Sequence, residues 1–395
     1  MTMVPTFDPF APDRTDHVGG AFQGRDLVQG DFGYAVVTYD AATAVLRNTR
    51  FQNSALRLME EFGITDGPVH DFRARSIIMI EGPPHLRLRT PLARFMSPVT
   101  VQNTRSILRD IVSMIMADLD DSAPVDFHRG IDRRIPSLVY CHLAGAPATD
   151  APKVQALSEG TLSILSRDRS LLPTILAAYD DLFDYLEELI TRRRAEGLGD
   201  DMLSYLISLN DSGKLSDEEL VAEAASMLEA SSVNTAHQTG LVVWTLLRNR
   251  EVWQRLLEEP ALIPAAVVEA LRLYPRTGVV SKIATQDIEV GDGRIPEGSD
   301  VHVVVWSANR DPGRFDRPTE FDLDRDRNQP LTFSTGAHNC LGQGLAKVEM
   351  EEVVGHLVKH YPKARVVDDR TRITQAGGRW LIDSLTVDLM GSSAE

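Results

Sequence analysis

The chain has 395 residues, 43% hydrophobic and 25% charged, a balance that suits a folded globular protein. Its length exceeds the usual size of one simple core, so two domains, or one large domain around a cofactor, are the natural arrangements. A formal net charge of -16 argues against nucleic acid as the main partner, because phosphate binding needs a basic face, and disfavours an anionic membrane surface.

The first twenty residues mix Pro, Gly and charged side chains without the apolar core of a signal peptide, and read as a loosely ordered N-terminal segment. No stretch approaches the roughly 20 apolar residues of a spanning helix. A cytoplasmic location, with no membrane contact, is the expectation. Residues 34–50 read as a strand, a turn and a helix. GPPH at 82–85 reads as a turn feeding a basic helix, LRLRTPLARFM. Amphipathic helical patterns follow at 100–120, 152–166, 171–196 and 200–210. Residues 216–250 read as one long helix, opened by the capping box Ser216/Glu219 and apolar enough to run through the interior. A shorter helix at 263–273 is ended by Tyr274-Pro275. Residues 282–305 alternate and carry turn signals, so they predict short strands. Residues 309–330 are rich in Pro, Asp and Arg without periodicity, a long loop of the kind that has a functional reason in a compact domain. A helix resumes at Leu341 and runs to about His360, and the last 30 residues predict a hairpin turning at QAGGR. The fold class is mainly α with small β-sheets, and no clean linker interrupts a single domain over 1–395.

The sequence holds two cysteines. A cytoplasmic protein of this size has little use for a disulfide. Cys141, in the apolar stretch SLVYCHLAG, reads as a core residue. Cys340, in FSTGAHNCLGQG, falls where a helix begins. Unpaired backbone N–H groups and the positive helix end favour its thiolate. A nucleophile, a metal ligand and a plain small residue before a helix all remain open on this stretch alone.

The pattern Phe333-x-x-Gly336-x-His338-x-Cys340-x-Gly342 resembles the haem-binding signature of the cytochromes P450. Three companion segments resemble the same family in the same order: PPHLRLR at 83–89, the E-x-x-R pair Glu269/Arg272, and SANRDPGRFDRPTEFDLDR at 307–325. The resemblance spans essentially the whole chain and is to the soluble bacterial members. It implies the cytochrome P450 fold, with haem b held between the long central helix and the cysteine loop, and Cys340 as the iron's thiolate ligand. It implies that Phe333 packs near the sulfur, that Gly336 lets the loop close, and that Glu269 and Arg272 form a buried network with the irregular loop, joined by Arg325 or Arg310. The propionates map to His85, Arg89, His338 and Lys282, the last replacing the usual Arg and binding as a point charge.

The resemblance breaks on the distal helix. The family's Ala-Gly-x-acid-Thr-Thr falls on Ala230-Ser231-Ser232-Val233-Asn234-Thr235, so Val233 stands for the acid and Asn234 for the first Thr. Helical spacing puts Ala230, Val233, Asn234 and His237 on one face, toward the haem. Asn234 can hold a water or the distal oxygen but cannot release a proton at neutral pH. Glu229, Ser232, Thr235 and His237 are the candidates for a rearranged relay. The implied activity is O2-dependent monooxygenation of a small or medium-sized apolar molecule, in secondary metabolism or catabolism. The alternative is oxidative coupling or cyclisation without oxygen insertion. Pocket candidates by resemblance are Ile77, Ile78, Met79, Leu162, Leu165, Leu172, Ala230, Val233, Val279, Val280, Trp380 and Leu381, with Arg73, Arg75 and Arg379 able to bind a polar or acidic group but expected to face solvent. No flavin or iron–sulfur segment is fused to the chain, so a ferredoxin with its reductase is the expected electron source. Its docking near Cys340 would use Arg87, Arg94 and Lys347.

Overall fold

The computed structural model describes residues 8–10, 24–326 and 329–391. Apart from 8–10, the segment 1–20 therefore lies outside the described residues. The chain is mainly helical with small sheets, and it divides into two compact units.

The first unit draws on described residues within Met1–Ser54, Met116–Gly130 and His237–Glu395. Its main sheet has five strands in the order Leu27–Gly30, Gly33–Val36, Asp300–Val304, Val279–Ala284, Phe51–Asn53. Only the Gly33–Val36/Asp300–Val304 pair is parallel. Tyr34, Val36, Val301 and Val303 join one apolar cluster, while Ala35 and Val304 join another. Both sheet faces are thus covered, which explains the near-continuous valine run VHVVV. The 282–305 expectation resolves into two inner strands of that sheet, Val279–Ala284 and Asp300–Val304, plus the hairpin Ile288–Val290/Gly293–Ile295. The C-terminal hairpin Arg372–Ala376/Arg379–Ser384 turns at Gly377-Gly378, both at positive φ (56° and 72°), where glycine alone is unstrained.

The Ile263–Leu273 helix carries the densest polar network of this unit. Glu269 and Arg272 are both fully buried. Arg272 Nε and Nη2 donate to the two Glu269 oxygens at 2.8 and 2.7 Å. The remaining guanidinium donors reach the carbonyls of Asn309 (2.8 Å), Pro318 (2.6 Å) and Glu320 (2.9 Å). Arg325 Nε and Asp322 N both donate to Glu269 Oε1 at 3.0 Å. Arg325 is thus the residue that joins the pair. Arg310 does not: it donates to the carbonyls of Leu273 and Trp306.

The second unit comprises Ala55–Ile115 and Ile131–Ala236. The Asp217–Ser231 helix runs through it, packed by Gly67–Arg75, Arg134–Ala144, Ala151–Leu162, Leu172–Glu196 and Met202–Asp211. Its capping box forms: Glu219 N donates to Ser216 Oγ and Ser216 N to Glu219 Oε2. Two expectations need correction. GPPH is not a turn ahead of a helix but the first turn of the Gly82–Phe95 helix, because proline's missing N–H is tolerated there. Residues 216–250 are not one helix. Asp217–Ser231 ends at Ser232, and a second helix, Val233–Arg248, begins at once. Ser231 Oγ donates to Leu228 O at 2.7 Å and lies 3.2 Å from Ser232 Oγ, so local hydroxyls compete with the backbone ladder where it breaks.

Truncating Glu269 to Ala leaves Arg272 charged and buried without its carboxylate. The expected loss is about 3–5 kcal/mol of unfolding free energy, read from urea melts. A loss below ~1 kcal/mol would show that the loop carbonyls alone satisfy Arg272.

Candidate functional site

The cysteine segment is tied to the network above. Leu331 N donates to Asn309 Oδ1 at 2.7 Å, Asn309 Nδ2 to Thr332 Oγ1 at 3.1 Å, and Thr332 Oγ1 to Leu271 O at 2.7 Å. Past Phe333 the chain turns sharply through Ser334 (φ 59°) and Gly336 (φ 79°). A Cβ on Gly336 would stand 2.5 Å from Leu46 O and 3.0 Å from Arg47 Cα, so the loop packs on backbone of the Tyr39–Arg47 helix and admits no side chain. The loop closes through Cys340 N donating to Phe333 O at 2.8 Å, and the Gln343–His360 helix starts three residues on. Cys340 is exposed, and residues 341–347 after it are half-buried.

Neither cysteine is in a disulfide. Burial pushes the Cys141 thiol up to about 12, as befits an inert core residue. Among the described residues, no three His, Cys, Asp or Glu gather as a metal-binding group. Cys340 therefore offers one sulfur at a helix start, the donor set suited to a cofactor that brings its own remaining ligands. Lys282 is buried on its strand and His338 is half-buried in the loop. In the second unit, His85 (buried) and Arg89 (half-buried) lie one turn apart on one helical face.

The cytochrome P450 family model matches residues 163–372, more than half of the chain. Luteothin monooxygenase of Streptomyces thioluteus is 31% identical over 340 residues, covering 85% of this chain and 83% of that one. The chain is a cytochrome P450. Nocardicin C N-oxygenase of Nocardia uniformis is 32% identical over 343 residues, covering 86% of this chain and 85% of the relative. The crystal structure of CalO2 superposes with a TM-score of 0.89 at 25% identity, covering 97% of this chain and 98% of that one. This P450 is thus a haem-thiolate oxidoreductase that uses haem b, O2 and electrons supplied from outside. Among the described residues no helix is long and apolar enough to cross a membrane.

The distal residues are placed unevenly. Ala230 is exposed, and Val233, Asn234 and Thr235 are half-buried, although residues 222–226, 228 and 229 just before them are buried. The expected face is therefore open along Ala230, Val233 and Asn234. Asn234 makes no side-chain hydrogen bond among the described residues, and its amide is available to a ligand. His237 departs from this face. It stacks on His128 (centroids 4.6 Å) and its Nδ1 accepts from Ile382 N at 3.1 Å. Ser232 is buried against Ser231.

Glu229 is also withdrawn. Its two oxygens accept from Arg73 Nη2 at 2.7 and 2.8 Å, and Oε1 accepts from Tyr179 OH at 2.7 Å. Arg73, expected to face solvent, is buried. Burial lowers its pKa, but Glu229 and Tyr179 outweigh that and leave it above its ordinary value. With both oxygens so engaged, Glu229 is turned to Arg73 and Tyr179 rather than to an open face. Arg75 stays exposed near Asp71, and Arg87 is met by Glu219, which lowers its worth for docking an acidic partner. The pocket candidates Ile78, Met79, Val279, Val280, Trp380 and Leu381 are all half-buried, whereas Ile77 is core. Trp380 and Arg379 also line a small surface cleft with Pro9, Gly278, Trp306, Gln375 and Gly378.

One buried acid went unnoticed in the sequence. Glu223, on the interior helix, is 1% exposed, and burial pushes its carboxyl up to about 8, with the Ile77 N–H acting in the opposite sense. The folded protein therefore holds a proton there that the unfolded chain releases near its usual 4.5. Stability attached to this group is present at low pH and falls as pH rises between those values, by at most about 1.4 kcal/mol per unit. Glu223→Gln, which cannot ionise, is expected to gain on wild type in melting temperature as pH goes from about 5 to about 8. Parallel curves would show that Glu223 ionises without penalty.

Proposed function

We propose that this P450 inserts one oxygen atom of O2 into a small or medium-sized organic molecule of secondary metabolism, with ferredoxin and its reductase as electron donors. The observation that carries the reading is the exposed Cys340 sulfur at a helix start, in a loop folded back on Leu46. The relatives' names support oxygen insertion: a monooxygenase, an N-oxygenase, and the mycinamicin VIII C21 methyl hydroxylase of Micromonospora griseorubida, 32% identical over 342 residues.

When bound, the haem supplies the oxygen-activating iron, with Cys340 thiolate pushing electron density onto it. The N–H groups at the helix start temper that thiolate. By resemblance, Phe333 and Gly336 shape the sulfur's surroundings, and Lys282, His338, His85 and Arg89 provide positive or donor groups for carboxylates. By resemblance, Val233, Val279, Val280, Ile78, Met79, Trp380 and Leu381 would supply apolar surface that excludes water. With Glu229 held by Arg73, Asn234 and Thr235 are the polar side chains left on the distal helix to hold water. Asn234 Nδ2 donates and Oδ1 accepts, so it orients a proton-carrying water without losing its own proton.

Turnover under labelled dioxygen is expected to put one labelled atom in the product. Unlabelled product would point instead to coupling. Cys340→Ala is expected to lose the thiolate-type band of the reduced, carbon monoxide-treated protein, and normal turnover by that variant would refute the ligand assignment. Asn234→Ala is expected to release more of the consumed O2 as peroxide. Unchanged coupling between O2 consumed and product formed would remove Asn234 from oxygen handling.

A further inference from the structure

Four arginines are buried among the described residues: Arg73, Arg272, Arg276 and Arg310. Three have their charge met. Arg272 is paired with Glu269 and three carbonyls. Arg73 is paired with Glu229 and Tyr179. Arg310 donates to the carbonyls of Leu273 and Trp306 and lies over the Tyr274 ring at 5.6 Å. Arg276 has none of this. It is 6% exposed, and both Nε and Nη1 are buried without a hydrogen-bond partner. Among the described residues no acid pairs with it, and the charge that acts on it is a second cation, Arg379.

The backbone holds this unpaired group in place. Arg276 N donates to Gln238 Oε1 at 2.7 Å, and Arg276 O accepts from Trp380 N at 3.1 Å. Thr277 bridges to Arg379, so the two arginines sit on adjoining strands of backbone. Trp380 Nε1 is a further buried donor without a partner. A buried guanidinium is costly unless an anion or several acceptors meet it. Burial, with Arg379 adding to it, pulls Arg276 down to about 9, so it remains a cation at neutral pH.

We propose that Arg276, assisted by Arg379, binds a carboxylate of the substrate, so that the molecule oxidised is an acid with an apolar body. This deepens the monooxygenase reading and rests on it. The guanidinium fork matches a carboxylate in two parallel hydrogen bonds. The neighbouring Val279, Val280, Trp380 and Leu381 would take the apolar part. A haem propionate has the same chemistry, but Lys282, His338, His85 and Arg89 already answer to the propionates by resemblance, and the experiment separates the two sources.

The haem-loaded protein is titrated with a panel of alkyl and aryl carboxylic acids and with their methyl esters. Binding is followed by calorimetry and by the ferric haem spectrum. At least one acid is expected to bind roughly ten- to a hundredfold tighter than its ester. Arg276→Met should abolish that preference while leaving ester affinity unchanged, and Arg276→Lys should retain part of it. Without ligand, Arg276→Met should melt no lower than wild type, since it removes an unpaired charge. The proposal is overturned if no acid outbinds its ester, or if the preference survives Arg276→Met. It is equally overturned if Arg276→Met loses haem, which would assign Arg276 to a propionate, or melts well below wild type, which would make it structural. None of these readouts needs turnover, so they fail or succeed independently of the labelled-oxygen result.

Discussion

The ion pair between Glu269 and Arg272 is the constraint on which the cysteine side of the molecule depends. Two charges without solvent need every lone pair and proton met. The chain meets them with backbone from an irregular loop: the carbonyls of Asn309, Pro318 and Glu320, and the N–H of Asp322. That explains how a loop without periodicity can be ordered. Its polar backbone is satisfied by one guanidinium and one carboxylate rather than by a helix or a sheet. Asn309, fixed by its carbonyl on Arg272, uses its side chain to hold Leu331 N and Thr332, and so passes the order on toward Phe333 and Cys340.

In the second unit the distal helix keeps an acid but spends it on an ion pair. Val233 stands where the family usually has a carboxylate, and Glu229, one turn earlier, is locked to Arg73 and Tyr179. What remains is Asn234, an amide on an open face. On the function proposed above, oxygen chemistry would rely on positioned water more than on a titrating side chain. The same contrast governs the buried arginines: pairing removes Arg73 from chemistry, and the lack of it commits Arg276 to a ligand.

Much of this was legible beforehand because the signals are local. The capping box at Ser216, the Pro275 stop, the Gly377-Gly378 turn and the cysteine pattern each depend on a few adjacent residues. What escaped depends on distant partners or on small competitions. Glu229 looked like a free acid because its partner Arg73 lies 156 positions away. His237 looked haem-facing because spacing cannot foresee the Ile382 N–H that captures its ring. The break at Ser232 has no proline or glycine to announce it, only serine hydroxyls taking up nearby hydrogen-bonding groups. Arg276, just after a proline, carries no local signal of its burial, which comes from elements distant in sequence.

The contact of Gly336 with Leu46 joins opposite ends of the chain. The sulfur is carried by residue 340, yet the wall that shapes its loop is built by residues 46 and 47. Neither end can form the cofactor cradle alone. A nascent chain must wait for its last quarter to return to its first helix before the loop has a surface to fold against. On the ligand assignment proposed above, haem capture would wait for synthesis to pass residue 340, and a chain stopped before it would lack the sulfur that holds the iron.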